Sequence, residues 1–119
     1  MGPAVRTEEP RFCGVVRYDL QNGSCQTYHE GPDKWWSEAP FASRDRVAEF
    51  GSSPDTPSAE DDGYLVGFVW DGDAQKSKVV VLDATNISAG SICRITLPVR
   101  VPNGFHATWV SGERLARGW

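Results

Sequence analysis

Histidine is scarce in this sequence: His29 and His106 are the only two among 119 residues. A self-contained imidazole-rich metal centre is therefore excluded. Cysteine is equally sparse. Cys13, Cys25 and Cys93 are odd in number, widely spaced and without a C-x-x-C pair, which excludes a zinc knuckle and a disulfide scaffold. The three read as buried or partly buried free thiols in a reducing cytoplasm. There is no Lys/Arg cluster, and the formal charge is -4, so electrostatic binding of nucleic acid is excluded. The longest apolar run, Tyr64 to Trp70, is too short to span a bilayer. Met1-Gly2-Pro3-Ala4 leads into charged residues rather than the apolar stretch of a secretory signal. Sustained helical periodicity is missing as well.

Twelve glycines, eight prolines and frequent valine are present instead, a composition of strands and turns. Phe12 to Leu20 predicts a first strand, and Ser24 to His29 its hairpin partner across Asn22-Gly23, a tight-turn signal. A loop-rich segment follows from Gly31 to Ala59, with Pro32, Pro40, Pro54 and Pro57; only Arg44 to Phe50 could form a helical turn. Four strands then come at even spacing: Tyr64–Trp70, Lys78–Leu82, Ile92–Leu97 and Phe105–Val110. Even spacing specifies an antiparallel meander, which sandwiches, barrels and propeller blades share. Tyr64–Trp70 and Lys78–Leu82 are apolar on both faces and need cover on both sides.

Two segments carry the chemistry. Val101-Pro102-Asn103-Gly104-Phe105-His106-Ala107-Thr108-Trp109 brings one histidine to the start of a short apolar strand. Strand alternation would put His106 and Thr108 on one face and Phe105, Ala107 and Trp109 on the other. Alone, this spacing fits a metal ligand or a plain hydrogen-bonded histidine. Upstream, Ala59-Glu60-Asp61-Asp62-Gly63-Tyr64-Leu65 stands at the mouth of another apolar strand, its acidic triplet placed to cap that turn. His29 reads as a surface residue. Trp70 and Trp109 read as core or inter-blade packing; Trp35-Trp36, in a loop beside Glu38, is the one aromatic pair placed to approach a substrate.

The pairing of E-D-D-G-Y-L with V-P-x-G-F-H-x-x-W resembles the C-terminal end of the carotenoid cleavage oxygenase family, which includes the lignostilbene dioxygenases. Three further stretches fit the same region. Val15-Val16-Arg17-Tyr18-Asp19-Leu20 with Gly23 looks like the family's V-K-Y-D-L-x-x-G hairpin. His29-Glu30-Gly31-Pro32 stands where it makes a short turn, and Ser37-Glu38-Ala39-Pro40-Phe41 resembles its G/S-E-P-x-F segment with the proline one place late.

The resemblance implies an all-β fold, antiparallel blades from the C-terminal part of a seven-bladed β-propeller, with residues 1–119 as an incomplete domain ending at a natural C-terminus. It implies oxidative cleavage of a conjugated C=C bond of a carotenoid, apocarotenoid or stilbene by O2, using non-haem Fe(II) on four histidines. Imidazole suits iron, and four neutral ligands leave open positions on the metal. By position His106 is the last of the four, with the other three outside this sequence. Glu38 falls where the family has a glutamate that orients a ligand imidazole; its plain alternative is a solvated loop carboxylate. The partners implied are the small hydrophobic substrate, O2 and the rest of the propeller, without nucleic acid or a transmembrane segment. Two other classes stay open: a truncated, non-catalytic paralogue and a small Trp-containing β-sandwich binding module.

Overall fold

A computed structural model describes residues 11–44, 60–104 and 106–118. Strands β1 (Val15–Tyr18) and β2 (Cys25–Tyr28) form a two-stranded antiparallel sheet. A second sheet holds β3 (Lys34–Trp36), β4 (Phe41–Ser43), β5 (Gly63–Asp71), β6 (Lys76–Asp83) and β7 (Ser91–Thr96), all pairs antiparallel. β5 is the spine. β3 and β4 pair with its two ends along one edge, β6 lies along the other, and β7 follows β6. Three of the four strands expected in the meander are present, as β5, β6 and β7, within one five-stranded sheet that carries a hairpin on it rather than a sandwich of two full sheets.

Local chemistry sets the turns. At the first hairpin Asp19 Oδ1 accepts the N–H of Gln21 at 2.9 Å and of Asn22 at 3.3 Å, and Gly23 takes φ 73°. A left-handed residue there costs least as glycine. Between β5 and β6, Asp71 Oδ1 accepts the N–H of Asp73 and Ala74 at 3.1 and 3.0 Å. Its Oδ2 meets Lys78 Nζ at 2.7 Å, and Lys34 Nζ lies 3.0 Å from Oδ1. One buried carboxylate thus ties the end of β3 to the β5–β6 turn.

The core lies on one face of the large sheet, under the hairpin. Trp36, Val69, Val80, Leu82 and Ile87 are buried together, with Val15, Tyr28 and Leu65 packed against them. Burying each of the larger side chains stabilises the fold by about 1.5–3 kcal/mol. The Tyr28 ring meets Trp36 edge-on, 6.1 Å between centroids. Gly67 leaves room for the Trp36 ring: a Cβ there would lie 3.0 Å from Trp36 Cε3. Arg94 clamps the hairpin down, with two hydrogen bonds to Glu30 at 2.7 and 2.9 Å and one to Tyr28 Oη at 3.1 Å. The opposite face is covered near Trp70 and Ser77 by residues 101–103, and beyond them it leaves Phe68 and Ile95 exposed.

Several expectations change. The stretch after Gly31 is not simply a loop: β3 and β4 lie in it, because each finds a free end of β5 to pair with. Trp35 and Trp36 therefore stand on a strand, and alternation sends Trp36 into the core. Residues 106–110 form no strand; the Ala107 N–H is taken by a side chain instead of a neighbouring strand. Trp109 is exposed rather than packed. All three cysteines are exposed, not buried, since Cys25 and Cys93 lie on thinly covered strands at the sheet margins. Asp61 and Asp62 pair with Arg17 at 2.7 Å and Arg44 at 3.4 Å, and among the described residues neither side chain caps the turn. A short helix α1 (Gly112–Arg117) was not foreseen; Ser111 Oγ caps it by accepting the Arg114 N–H at 3.2 Å. The helical turn expected over Arg44 to Phe50 lies, apart from Arg44, outside the described residues.

Candidate functional site

Glu38 owes its position to a break in the sheet edge. Trp36 faces Val69, and Phe41 faces Leu65. Five steps along the edge chain are thus met by four along β5, so one extra residue is accommodated among Glu38, Ala39 and Pro40. A bulge of this kind re-aims side chains and bends the strand. Pro40 suits it because that position supplies no ladder N–H, while its carbonyl returns the chain to register by accepting the Val66 N–H at 3.1 Å. The displaced proline of the Glu-Ala-Pro-Phe stretch lies within this bulge.

His106 arrives from the other side. After β7 the chain folds back over the β5–β6 sheet, where Ser77 holds it twice. The Leu97 N–H donates to Ser77 O and the Val101 N–H to Ser77 Oγ, each at 2.8 Å. Arg100 stacks over Trp70, 4.6 Å from the ring centroid. Pro102, Asn103 and Gly104 then lead to the histidine.

The two candidate residues meet. Glu38 Oε1 lies 3.3 Å from His106 Nδ1, and Glu38 Oε2 accepts the backbone N–H of Ala107 at 2.7 Å. The Ala107 N–H, followed by His106, holds the Glu38 carboxyl below the usual carboxylate range, so it is ionised at neutral pH. An anionic acceptor at Nδ1 favours the tautomer with the proton on that nitrogen, leaving the Nε2 lone pair available. Nε2 has no hydrogen-bond partner among the described residues, and the imidazole is 92% exposed. An accessible ring, oriented through its other nitrogen, fits one ligand position of a metal ion. Among the described residues no three His, Cys, Asp or Glu side chains gather into a complete site.

The remaining aromatic and imidazole candidates lie elsewhere. Trp35 donates its indole N–H to Asp33 Oδ1 at 3.1 Å and is covered by Arg11, while Trp36 is core. His29 Nδ1 accepts the Gly31 N–H at 3.1 Å and serves the turn after β2. Ser37 and Ser77, whose hydroxyls hold the two site segments, went unnoticed in the sequence. A serine immediately before the glutamate was the available signal for the first; nothing in the sequence marked the second.

Residues 2–111 match the family model described as retinal pigment epithelial membrane protein, RPE65. The chain belongs to that family, the carotenoid cleavage oxygenases. It is 34% identical over 112 residues to the chloroplastic 9-cis-epoxycarotenoid dioxygenase NCED6 of Arabidopsis thaliana, covering 94% of this chain and 17% of the relative. With carotenoid 9,10(9',10')-cleavage dioxygenase 1 of Phaseolus vulgaris it shares 40% over 118 residues, covering 88% of this chain and 20% of that one. Among solved structures, cobalt-substituted apocarotenoid oxygenase of Synechocystis superposes with a TM-score of 0.69 at 26% identity, over 85% of this chain and 19% of that chain. The chain thus spans about a fifth of the length of the relatives it matches. Among the described residues no helix is long and apolar enough to cross a membrane.

Proposed function

We propose that this chain is the C-terminal part of a non-haem Fe(II) dioxygenase that splits a conjugated C=C bond of a carotenoid, apocarotenoid or stilbene into two carbonyl products. The observation that carries the reading is the contact of Glu38 with both His106 Nδ1 and the Ala107 N–H. Engagement of an imidazole and the next peptide together favours a group that orients a ligand ring over a solvated loop carboxylate. The relatives' names supply the substrate classes, carotenoids above all and lignostilbene for one from Sphingomonas paucimobilis.

In this reading His106 offers Nε2 as one of four imidazole ligands, the other three coming from the rest of the protein. Glu38 keeps the proton on Nδ1 and fixes the ring plane, and Ala107 keeps Glu38 ionised and in place. Bound iron would supply the site at which O2 is activated. The β3-β5-β6-β7 path has the strand count of one propeller blade, and the exposed part of the face bearing Phe68 and Ile95 suits a neighbouring blade of a seven-bladed ring. Residues 1–119 would then be an incomplete domain, inactive alone. Three exposed free thiols suit a reducing compartment, and the cytoplasm is the one proposed.

His106→Ala in the full-length protein tests the reading. A lost ligand has no replacement among the described residues, so iron measured after desalting should fall to background and turnover should vanish with it. Stoichiometric iron in that variant would refute the assignment.

A further inference from the structure

We infer that Ser37 is a positioning residue for this site, its hydroxyl launching the bulge that delivers Glu38 to His106 and Ala107. The inference rests on the metal-site reading above and deepens it. In a regular hydrogen-bonded antiparallel pair, two facing residues exchange both N–H···O=C bonds. Ser37 and Phe68 make only one of them, Ser37 N–H to Phe68 O at 2.9 Å. The reciprocal donor, Phe68 N–H, goes to Ser37 Oγ at 3.0 Å. A side-chain hydroxyl thus stands in for the backbone carbonyl, the local competition with ladder bonding to which serine is prone. The peptide joining Ser37 to Glu38 is released from the ladder at that point. The same hydroxyl donates to the Glu38 carbonyl oxygen at 2.7 Å. With Oγ bonded on both sides, the peptide that carries Glu38 has a fixed orientation relative to β5.

The opposing segment is anchored in the same way. Ser77, on β6, accepts the Val101 N–H through its hydroxyl at 2.8 Å and is buried. Ser37 and Ser77 line one small cavity of about 20 Å³, with Val101 and Asn103 on its wall. The chain entering His106 and the chain entering Glu38 are therefore referenced to adjacent points of one β5–β6 ladder. Distance errors between them are confined to a few residues on each side. Metal sites lose affinity when the groups that aim a ligand are disturbed, and Ser37 bonds the peptide that carries Glu38.

The test uses the full-length protein and does not depend on turnover. In metal-free protein labelled with 15N-alanine, the Ala107 amide proton reports its bond to the Glu38 carboxylate, and Glu38→Ala gives the shift of the unbonded state. Ser37→Ala should move the Ala107 amide most of the way to that value and raise the Fe(II) dissociation constant about tenfold. Ser37→Thr keeps a hydroxyl in a residue that strands favour and should restore both. A Ser37→Ala protein with the wild-type Ala107 amide position overturns the inference, whatever its iron content. So does Ser37→Thr behaving like Ser37→Ala. Iron retained by His106→Ala would instead remove the metal reading, and the Ala107 amide would still decide whether Ser37 positions Glu38.

Discussion

Glu38 Oε2 accepts the backbone N–H of Ala107 at 2.7 Å, across sixty-nine residues of sequence. The carboxylate is therefore held before it reaches the imidazole, and the 3.3 Å approach of Oε1 to His106 Nδ1 follows from a fixed starting point. Both bonds need an acceptor, and an ionised carboxylate supplies one on each oxygen.

Glu38→Gln separates these two demands. Glutamine replaces one of the two acceptor oxygens by an NH2 donor; with its oxygen on the Ala107 N–H, its NH2 end would face the imidazole as a donor. The proton on Nδ1 loses its acceptor, and the tautomer that frees Nε2 is no longer favoured. Iron affinity and activity of the full-length protein should fall by about 10- to 100-fold. Metal titration of purified protein measures this, and affinity at the wild-type level would mean that Glu38 does not orient the ring.

Asp71 should contribute to the acid sensitivity of the fold. Lys78, then the Ala74 N–H, and Lys34 hold this buried carboxyl well below its ordinary range. Its proton affinity is lower folded than unfolded. The stabilisation is therefore complete above the unfolded value, near pH 4, and is lost as pH falls below it toward the folded value. Urea midpoints between pH 7 and 3 should show a steep acid limb in the wild type and a flatter one in Asp71→Asn, which starts from lower stability because it removes the carboxylate that meets Lys78 and leaves Lys34 with Asp73 alone. An unchanged acid limb would assign the acid sensitivity to other carboxylates.

Gly67 is a packing requirement. An added Cβ would sit 3.0 and 3.1 Å from two ring carbons of Trp36 and 3.4 Å from Ala39 Cβ. Trp36 is buried at the centre of the core and has little room to retreat. Gly67→Ala should cost about 1–3 kcal/mol, the usual range for overpacking, and lower the unfolding midpoint. Ala39 adjoins Glu38, so metal affinity should weaken in parallel. A variant with unaltered melting would show that the Trp36 ring shifts freely.

Much of this was legible in the sequence because it is locally encoded. Asp19 to Ser24 reads as a turn, Tyr64–Trp70 and Lys78–Leu82 read as strands, and the spaced residues around Glu38 and His106 carry the family resemblance. What was missed depends on distant partners. Lys34 to Trp36 and Phe41 to Ser43 are too short to announce themselves, and become strands only because β5 offers two free edge segments. The region from Phe105 on has the apolar alternation of a strand, yet its described residues lie beside no pairing partner. The hydroxyls of Ser37 and Ser77 acquire their roles from Phe68 and Val101, thirty-one and twenty-four residues away.

The exposed part of the sheet face sets the behaviour of residues 1–119 on their own. Phe68 and Ile95 are 41% and 50% exposed on that face, with Trp109 and Val99 exposed beyond it. Soluble monomers seldom leave contiguous apolar surface of this kind uncovered. β7 adds an edge whose outer backbone groups have no neighbouring strand among the described residues, and free edges pair with other chains. The expressed 119-residue chain should therefore self-associate, with a sedimentation coefficient that rises with concentration and a broad unfolding transition. Replacing Phe68 and Ile95 by threonine keeps strand propensity while removing apolar surface, and should shift the distribution toward monomer. A concentration-independent monomer with a sharp transition would identify residues 1–119 as a complete domain and withdraw the reading of a blade that needs neighbours.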